Sequence, residues 1–583
     1  MSLPVSRRDL DFILFEWLDA AALTERPAFA DHDRDTFTAA LDTAWTVAER
    51  HFLPHHRKAD AEEPRLENGR VVLVPEAKTA LDAFAAAGFL AMERPAADGG
   101  MGLPHVIAQA CFGLFDAANI ATASYPLLTI AAANLIDAFG TPEQKRRHVP
   151  AMRDGRHFGT MVLTEPQAGS SLGDVRTTAT PTGDGRYRLT GSKVFISGGE
   201  HELAENIVHL VLCRITGAPP GVKGLSLMLV PRFRLAEDGT PGPANDVALA
   251  GLIHKMGWRG TTSTMLNFGE QGDCIGELVG EPGRGLAQMF HMMNEARIGV
   301  GLGAAMLGYA GYRHALAYAR ARPQGRPLDA RDPAAPPVAI VDHPDVRRML
   351  LAQKAYAEGG LALCLYAARL VDEARTAAEP HRRMAAQRLL DVLTPVVKAW
   401  PAEWCLEANK LAIQVHGGYG YTREYPVEQI YRDNRLNPIH EGTNGIQALD
   451  LLGRKVMMEE GALLAELLAR ISTTARAAAR ERSLVAEAAA LDAAIERVTV
   501  ATTTVRGILA EGAARRGLAN ASAYLDLLGH VVVAWIWLEK ALAATRALPG
   551  AAGDDRRFYA GKLAACAWFF RWELPKTAHW ADL

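Results

Sequence analysis

The hydrophobic period of this chain changes twice, and those two changes limit what it can fold into. From about residue 30 to 150 apolar residues recur at helical spacing, as in Phe37, Ala40, Leu41, Ala44, Val47 and Ala48, and again in Leu81, Phe84, Ala85 and Phe89. Between about 155 and 285 the pattern becomes short β-rich runs, at 186–196, 207–214, 225–230 and 262–268, separated by Gly, Pro and Asp turns. After Gly285 the helical period returns and persists to about 460, interrupted by a Pro-rich loop at 322–344; an Ala- and Leu-rich tail with interleaved Arg and Glu completes the chain. Thr141 before Pro142 reads as an N-cap followed by the first helical position.

At 583 residues the chain exceeds what one core supports. The expected class is α+β, with an N-terminal extension (1–30), a helical domain (31–158), a small β-barrel (159–285), a helical bundle carrying a loop of chemical interest (286–460) and an extra helical domain (461–583).

Composition narrows the partners. A net charge of -3 with mixed signs offers no basic stripe for nucleic acid. The cysteines at 111, 213, 274, 364, 405 and 566 show no CxxC pair, which argues against a zinc site or disulfide framework and for a reduced, cytoplasmic setting. The N-terminus lacks a secretory pattern, and the apolar run at 531–538 is too short to span a bilayer, so no membrane span is expected. The late aromatics Trp535, Trp537, Trp568, Phe569, Phe570 and Trp572 read as bundle core, with a lid or oligomer contact as the less favoured alternative.

Two stretches suggest chemistry. His440-Glu441-Gly442-Thr443-Asn444-Gly445 holds one acid in a Pro/Gly-bounded loop, where a carboxylate can serve as a base. Far upstream, Thr164-Glu165-Pro166-Gln167-Ala168-Gly169-Ser170 leaves backbone N–H groups and hydroxyls free to meet a flat polar ligand, and Phe195-Ile196-Ser197 follows. Gly417-Gly418-Tyr419-Gly420 lacks the spacing of a nicotinamide-binding turn.

Taken together, these motifs and the helix–β–helix order resemble the acyl-CoA dehydrogenase family over roughly residues 30–455, and the longer ends resemble its bacterial branch that includes 3-methylmercaptopropionyl-CoA dehydrogenases. The resemblance implies FAD as cofactor and an acyl-CoA as substrate. Met161, Leu163, Thr164, Gly169 and Ser170 would line the flavin ring, with Phe195, Ile196 and Ser197 as a second wall. Arg322 and Gln324 stand at the diphosphate contact, although the Phe of that motif is absent and Arg320 is an alternative donor. Gln414, Val415, Gly417 and Gly418 would approach a neighbouring subunit's flavin, and Thr443 and Asn444 its adenine side. Ser170, Asn294, Arg297 and Gly442 would meet the acyl-CoA.

Glu441 is the expected base. Relatives that carry it elsewhere place it just before an Arg on the first helix after the β domain, here Ala296 before Arg297, and alanine cannot take a proton. Glu295 reads instead as a neighbour or ion-pair partner of Arg297, and Arg432 and Asp433 as ion-pairing beneath the loop. Burial against flavin and thioester would raise the Glu441 pKa from about 4.3 towards roughly 6–7. His440 replaces a common Tyr, and Ser171 a common Asp, so the acyl pocket is expected to be unusual.

The implied reaction is α,β-dehydrogenation to a trans-2-enoyl-CoA, with electrons leaving to an electron-transferring flavoprotein and a homo-oligomer of at least two chains sharing the flavin site. Alternatives are an oxidase that returns the electrons to O2, and a flavin-holding nucleic-acid or damage-response binder of the same fold.

Overall fold

The computed structural model describes residues 2–332, 334–440 and 442–583, with the side chains of 290–294 excepted. Its helices are α1 (Arg34–Val47), α2 (Pro75–Ala86), α3 (His105–Phe139), α4 (Pro142–Arg153), α5 (Gly285–Ala321), α6 (Pro344–Thr376), α7 (Pro380–His416), α8 (Val427–Asn434), α9 (Asn444–Gly453), α10 (Ala462–Ala478), α11 (Val485–Ala510), α12 (Ala521–Ala547) and α13 (Gly553–Trp572), besides shorter turns. The chain forms two compact units: Met1–Leu3, Ala39–Leu103 and Leu114–Ala296 make the first, and Pro4–Thr38, Pro104–Gly113 and Arg297–Leu583 the second.

The first unit is built on eight strands: β1 (His157–Val162), β2 (Thr178–Pro181), β3 (Tyr187–Ser197), β4 (Asn206–Ile215), β5 (Leu225–Pro231), β6 (Val247–Leu252), β7 (Ser263–Phe268) and β8 (Ile275–Val279). They pair in the order β6-β7-β3-β8-β5-β4-β1, and β2 bridges β3 and β4. Since β2 joins both, β3-β8-β5-β4-β2 is a closed ring, which is the expected small barrel. The 11 residues of β3 let it serve this ring and, at its far end, β7.

Alternation along β4 and β5 explains why both strands are buried on two sides. Val211, Cys213, Met228 and Val230 point inward with Leu189, Ile196, Leu266 and Phe268. Their neighbours Val208, Leu210, Leu212, Leu227 and Leu229 pack outward on Ala132, Ile136, Val149 and Met152 of α3 and α4. The start of α4 is fixed by a capping box: Thr141 Oγ1 accepts from Gln144 N at 3.2 Å, and Gln144 Oε1 accepts from Thr141 N at 2.9 Å. Gln144 Nε2 also donates to Leu278 O at 2.9 Å, tying the helix to β8.

In the second unit α6 and α7 are joined by three residues, 377–379, and so lie antiparallel. Trp535 and Trp537 of α12 are buried; their indole N–H groups donate to Thr474 Oγ1 at 2.9 Å and Ala355 O at 3.1 Å. Trp568, Phe569 and Phe570 are buried too, so the late aromatics are core; Trp572 is exposed and stacks on Trp568. The helix 521–550 is apolar over a longer stretch than 531–538 alone, since alanines extend it, and it and α3 have the length and composition to cross a bilayer. Of their most apolar windows 83% and 94% is buried inside the protein, as in core helices.

The segment Pro4–Thr38 belongs to this second unit. Asp9, buried, accepts from Tyr309 Oη at 3.1 Å and pairs with Lys562 of α13; Lys562 also donates to Glu358 of α6 at 2.7 Å. The N-terminal segment is thus tied to the last helices.

Candidate active site

The residues expected to meet a flavin fall on both units. On the first, Glu165 and Ala168 exchange two backbone hydrogen bonds of 3.0 Å, closing a tight turn over Pro166 and Gln167 and leaving Gly169 and Ser170 exposed. The turn is anchored by a buried ion pair. Glu165 is 3% exposed and lies 2.9 Å from the Lys193 ammonium, and its carboxylate accepts from Arg176 N, Thr177 N, Thr177 Oγ1 and Gln167 Nε2 at 2.7, 2.9, 2.6 and 2.6 Å. Burial alone would raise the Glu165 pKa, but the Lys193 charge and these donors overcome it and hold the group down to about 2. Lys193 Nζ also donates to Leu163 O at 2.8 Å and Leu212 O at 2.7 Å.

Immediately after Lys193 the register of β3 against β7 slips: Leu266 faces Lys193 and Thr264 faces Ile196, so Val194 and Phe195 together oppose Met265. This bulge puts Phe195 at φ +60°, a conformation costly for a side chain with a Cβ, and leaves its ring 63% exposed. Val194 N donates to Thr164 O at 3.0 Å, so the bulge and the turn are one assembly. Met161, Thr164 and Ser197 are half-buried, whereas the side chains of Leu163 and Ile196 belong to the barrel cores and offer only backbone. An exposed aromatic ring on strained backbone beside a turn of free hydroxyls and open glycine fits a planar, hydrogen-bonding ligand such as a flavin.

On the second unit, α7 ends at Gly417, φ +61°, and Gly417 and Gly418 are exposed with nothing within 4 Å of where a Cβ would stand. Gln414 is exposed, while the Val415 side chain packs with Tyr312, Met349 and Val427. His416 stacks on Tyr318 at 4.3 Å between ring centroids, with Nδ1 2.8 Å from Ala412 O. Arg322 donates to Gln324 Oε1 at 2.7 Å, so the two residues expected at a diphosphate hold each other; Arg320 is exposed.

The loop that carries the expected base is described at its two ends. Glu441 lies outside the described residues, as does the Asn294 side chain. Asn444 N donates to Pro438 O at 2.9 Å, closing the loop, and Thr443 caps α9, its Oγ1 accepting from Ile446 N at 3.3 Å. Gly442 O accepts from Gln447 Nε2 at 3.3 Å. Beneath the loop runs a ladder of buried asparagines. Asn437 Nδ2 donates to Asn434 Oδ1 at 2.9 Å, Asn434 Nδ2 to Asn409 Oδ1 at 2.6 Å, and Asn409 Nδ2 to Leu307 O at 2.9 Å. His440 is half-buried; desolvation of its ring, then the charge of Lys398, lowers its pKa to about 4, so the imidazole is neutral at pH 7.

Arg297 is 6% exposed and pairs with Asp450 of α9 at 2.9 Å, an ion-pair partner that the sequence reading did not name. Arg432 forms a bidentate pair with Glu428 at 2.7 and 3.0 Å, and Asp433 is buried. Sequence reasoning also passed over Lys193, Glu165 and Lys398. The signal was present: Lys193 falls in step with Leu189, an inward position of the strand, and Lys398 interrupts the apolar run Val396-Val397-Lys398-Ala399-Trp400.

Four family models match in chain order: the acyl-CoA dehydrogenase N-terminal domain over 35–156, its middle domain over 160–270, its C-terminal domain over 283–457, and an acetyl-CoA dehydrogenase C-terminal-like model over 467–583. The barrel between helical segments and the appended bundle therefore define a dehydrogenase, an oxidoreductase in class. The chain is 40% identical to a 3-methylmercaptopropionyl-CoA dehydrogenase of Ruegeria pomeroyi over 96% of this chain and 93% of that one, and 37% identical to a broad-specificity linear acyl-CoA dehydrogenase of Mycobacterium tuberculosis over 97% and 95%. Among solved structures, an acyl-CoA dehydrogenase from Bacillus anthracis complexed with FAD shares the fold, with a TM-score of 0.75 and 20% identity over 96% of this chain and 89% of that one. The chain belongs to the acyl-CoA dehydrogenase family.

Proposed function

We propose that this chain oxidises the Cα–Cβ bond of an acyl-CoA thioester to a trans-2-enoyl-CoA, with Glu441 as the base and FAD as cofactor. The observation that carries the reading is the Phe195 bulge bound to the Thr164–Ser170 turn: a strained, exposed aromatic has no folding purpose there and suits a flavin ring. FAD, when bound, supplies the hydride acceptor that no side chain offers.

The chain's own residues do the rest. Met161, Thr164, Gly169, Ser170, Phe195 and Ser197, with the backbones of Leu163 and Ile196, seat the ring. Arg322, Gln324, Gln414, the Val415 backbone, Gly417 and Gly418 hold the diphosphate side, the last four from a neighbouring subunit, and Thr443 and Asn444 the adenine side. Ser170, Asn294, Arg297 and Gly442 hold the acyl-CoA. Glu441 takes the α-proton, and the neutral His440 beside it adds no competing charge.

The relatives named as acyl-CoA dehydrogenases support the substrate class, and the Bacillus anthracis neighbour, complexed with FAD, the cofactor. An electron-transferring flavoprotein is the proposed acceptor, a homodimer or larger the assembly, and the cytoplasm the setting, in keeping with six free, buried cysteines.

The test is an anaerobic titration with butyryl-, octanoyl-, isobutyryl- and methylthiopropionyl-CoA, following the flavin band. Bleaching by one of them is expected. Glu441→Gln should stay yellow and unbleached; substantial turnover by that variant would remove Glu441 from the role of base.

A further inference from the structure

Lys398 of α7 is 0% exposed. Its Nζ donates to the Asn437 carbonyl at 2.8 Å and to Asn444 Oδ1 at 3.1 Å, one contact at each end of the loop closed by the Asn444 N–Pro438 O hydrogen bond. A buried amino group is costly unless its donors are satisfied, and these two acceptors are the neck of the loop. The Asn444 amide is oriented from its other side by Glu403, whose Oε2 accepts from Asn444 Nδ2 at 3.2 Å. The asparagine ladder fixes Asn437, as described above. On α7 itself, Pro401 leaves the Val397 carbonyl without its usual helical donor, and Gly301 of α5 packs so closely on that carbonyl that a Cβ would stand 2.1 Å away. The turn that presents Lys398 is thus locked against its neighbour. Burial above all, and then the charge of Arg297, lowers the Lys398 pKa to about 7, while Glu403 acts in the opposite direction; charged or neutral, Nζ carries enough N–H groups for both acceptors.

We propose that Lys398 is a positioning residue for proton abstraction: its Nζ clamps Asn437 and Asn444, on either side of Glu441 in the chain, and so fixes the frame from which that residue acts. The inference rests on the reading of Glu441 as base. Lys398 acts through the loop and touches no reacting atom in this account.

The experiment compares the FAD-loaded wild type with Lys398→Met, which keeps the stem and removes the donors, and Asn444→Ala, which releases one end. Flavin reduction by the fastest acyl-CoA of the panel is followed anaerobically with α-protiated and α-deuterated substrate. Binding of the corresponding enoyl-CoA is measured separately, and hydrogen exchange at the Asn444 amide is measured without substrate. Lys398→Met should slow reduction on the order of 10²-fold, as a misplaced reacting group does. It should raise the α-deuterium isotope effect, leave FAD content and enoyl-CoA affinity within about twofold, and speed exchange at Asn444.

Asn444→Ala should slow reduction by less, and the double variant no further than Lys398→Met alone. Reduction within about threefold of wild type with an unchanged isotope effect, or a parallel loss of enoyl-CoA affinity and rate, overturns the proposal. Should Lys398→Met not fold, Lys398→Gln, which is shorter and cannot reach both acceptors, decides by the same criteria. Glu441→Gln run alongside separates the two readings: an active Glu441→Gln refutes the base assignment, whereas an inert Glu441→Gln with an unaffected Lys398→Met refutes the clamp alone.

Discussion

Replacing Lys193 by methionine keeps the length of the side chain but strips the barrel of an ammonium that serves three acceptors at once: Glu165 at 2.9 Å, Leu163 O at 2.8 Å and Leu212 O at 2.7 Å. Removing one partner from a buried ion pair costs about 3–5 kcal/mol, because the other charge stays behind without compensation. Glu165 retains donors from Arg176, Thr177 and Gln167, which points to the lower half of that range. At about 2–4 °C of melting temperature per kcal/mol for a unit of this size, the apparent Tm should fall by roughly 6–15 °C.

The loss should be concentrated in the turn and bulge, since Lys193 joins the strand to the carbonyl next to Thr164. FAD should therefore dissociate more readily, a change read from flavin fluorescence on dilution. The decisive assay is the double-mutant cycle with Glu165→Gln. If the two residues act as a pair, the double variant should be more stable than the sum of the singles by at least about 1 kcal/mol. Effects that add within about 0.5 kcal/mol would refute the argument that the pair anchors the turn.

Three further outcomes follow from other parts of the structure. Because the folded-state pKa of Glu165 is depressed to about 2, its contribution is present above the ordinary carboxylate range and is lost as pH falls through about 2; the Tm gap between wild type and Glu165→Gln should be constant from pH 8 to 6 and narrow progressively below about pH 4.5. Phe195→Gly relieves the positive φ and sacrifices no buried ring, so the apoprotein should gain about 1 kcal/mol in thermal melts while FAD affinity falls; a less stable apoprotein would contradict the strain argument. Trp537→Ala should cost about 3–5 kcal/mol and Trp572→Ala less than about 1 kcal/mol in denaturant melts, as a core position and a half-exposed one require.

The elements most readable in the sequence were those whose local pattern is also their tertiary role. The runs at 207–214 and 225–230 became β4 and β5 within a residue or two, and Thr141 became the cap of α4, because alternation and capping are written in adjacent positions. The bulge at Phe195 was not readable. Its signature is a register slip against β7, and register belongs to two strands 70 residues apart rather than to one. The partner of Arg297 escaped for the same reason. Local spacing offered Glu295, two residues away and off the helix face, whereas the carboxylate that meets it is Asp450 of α9, 153 residues on. Lys193 and Lys398 were visible as charges in apolar runs, but only coordinates reveal which backbone carbonyls they serve.

The placement of Asp9 against α13 has a consequence for how the protein is made. Asp9 leaves the ribosome 553 positions ahead of its buried partner Lys562. At synthesis rates of about 5–20 residues per second, that is roughly half a minute to two minutes during which the Asp9 carboxylate lacks the ammonium that neutralises it. The barrel unit draws on no residue beyond Ala296 and can close while the rest is still emerging. The other unit waits for α13, so a chain truncated before α13 would leave Asp9 and Glu358 in an apolar interior without the ammonium they share.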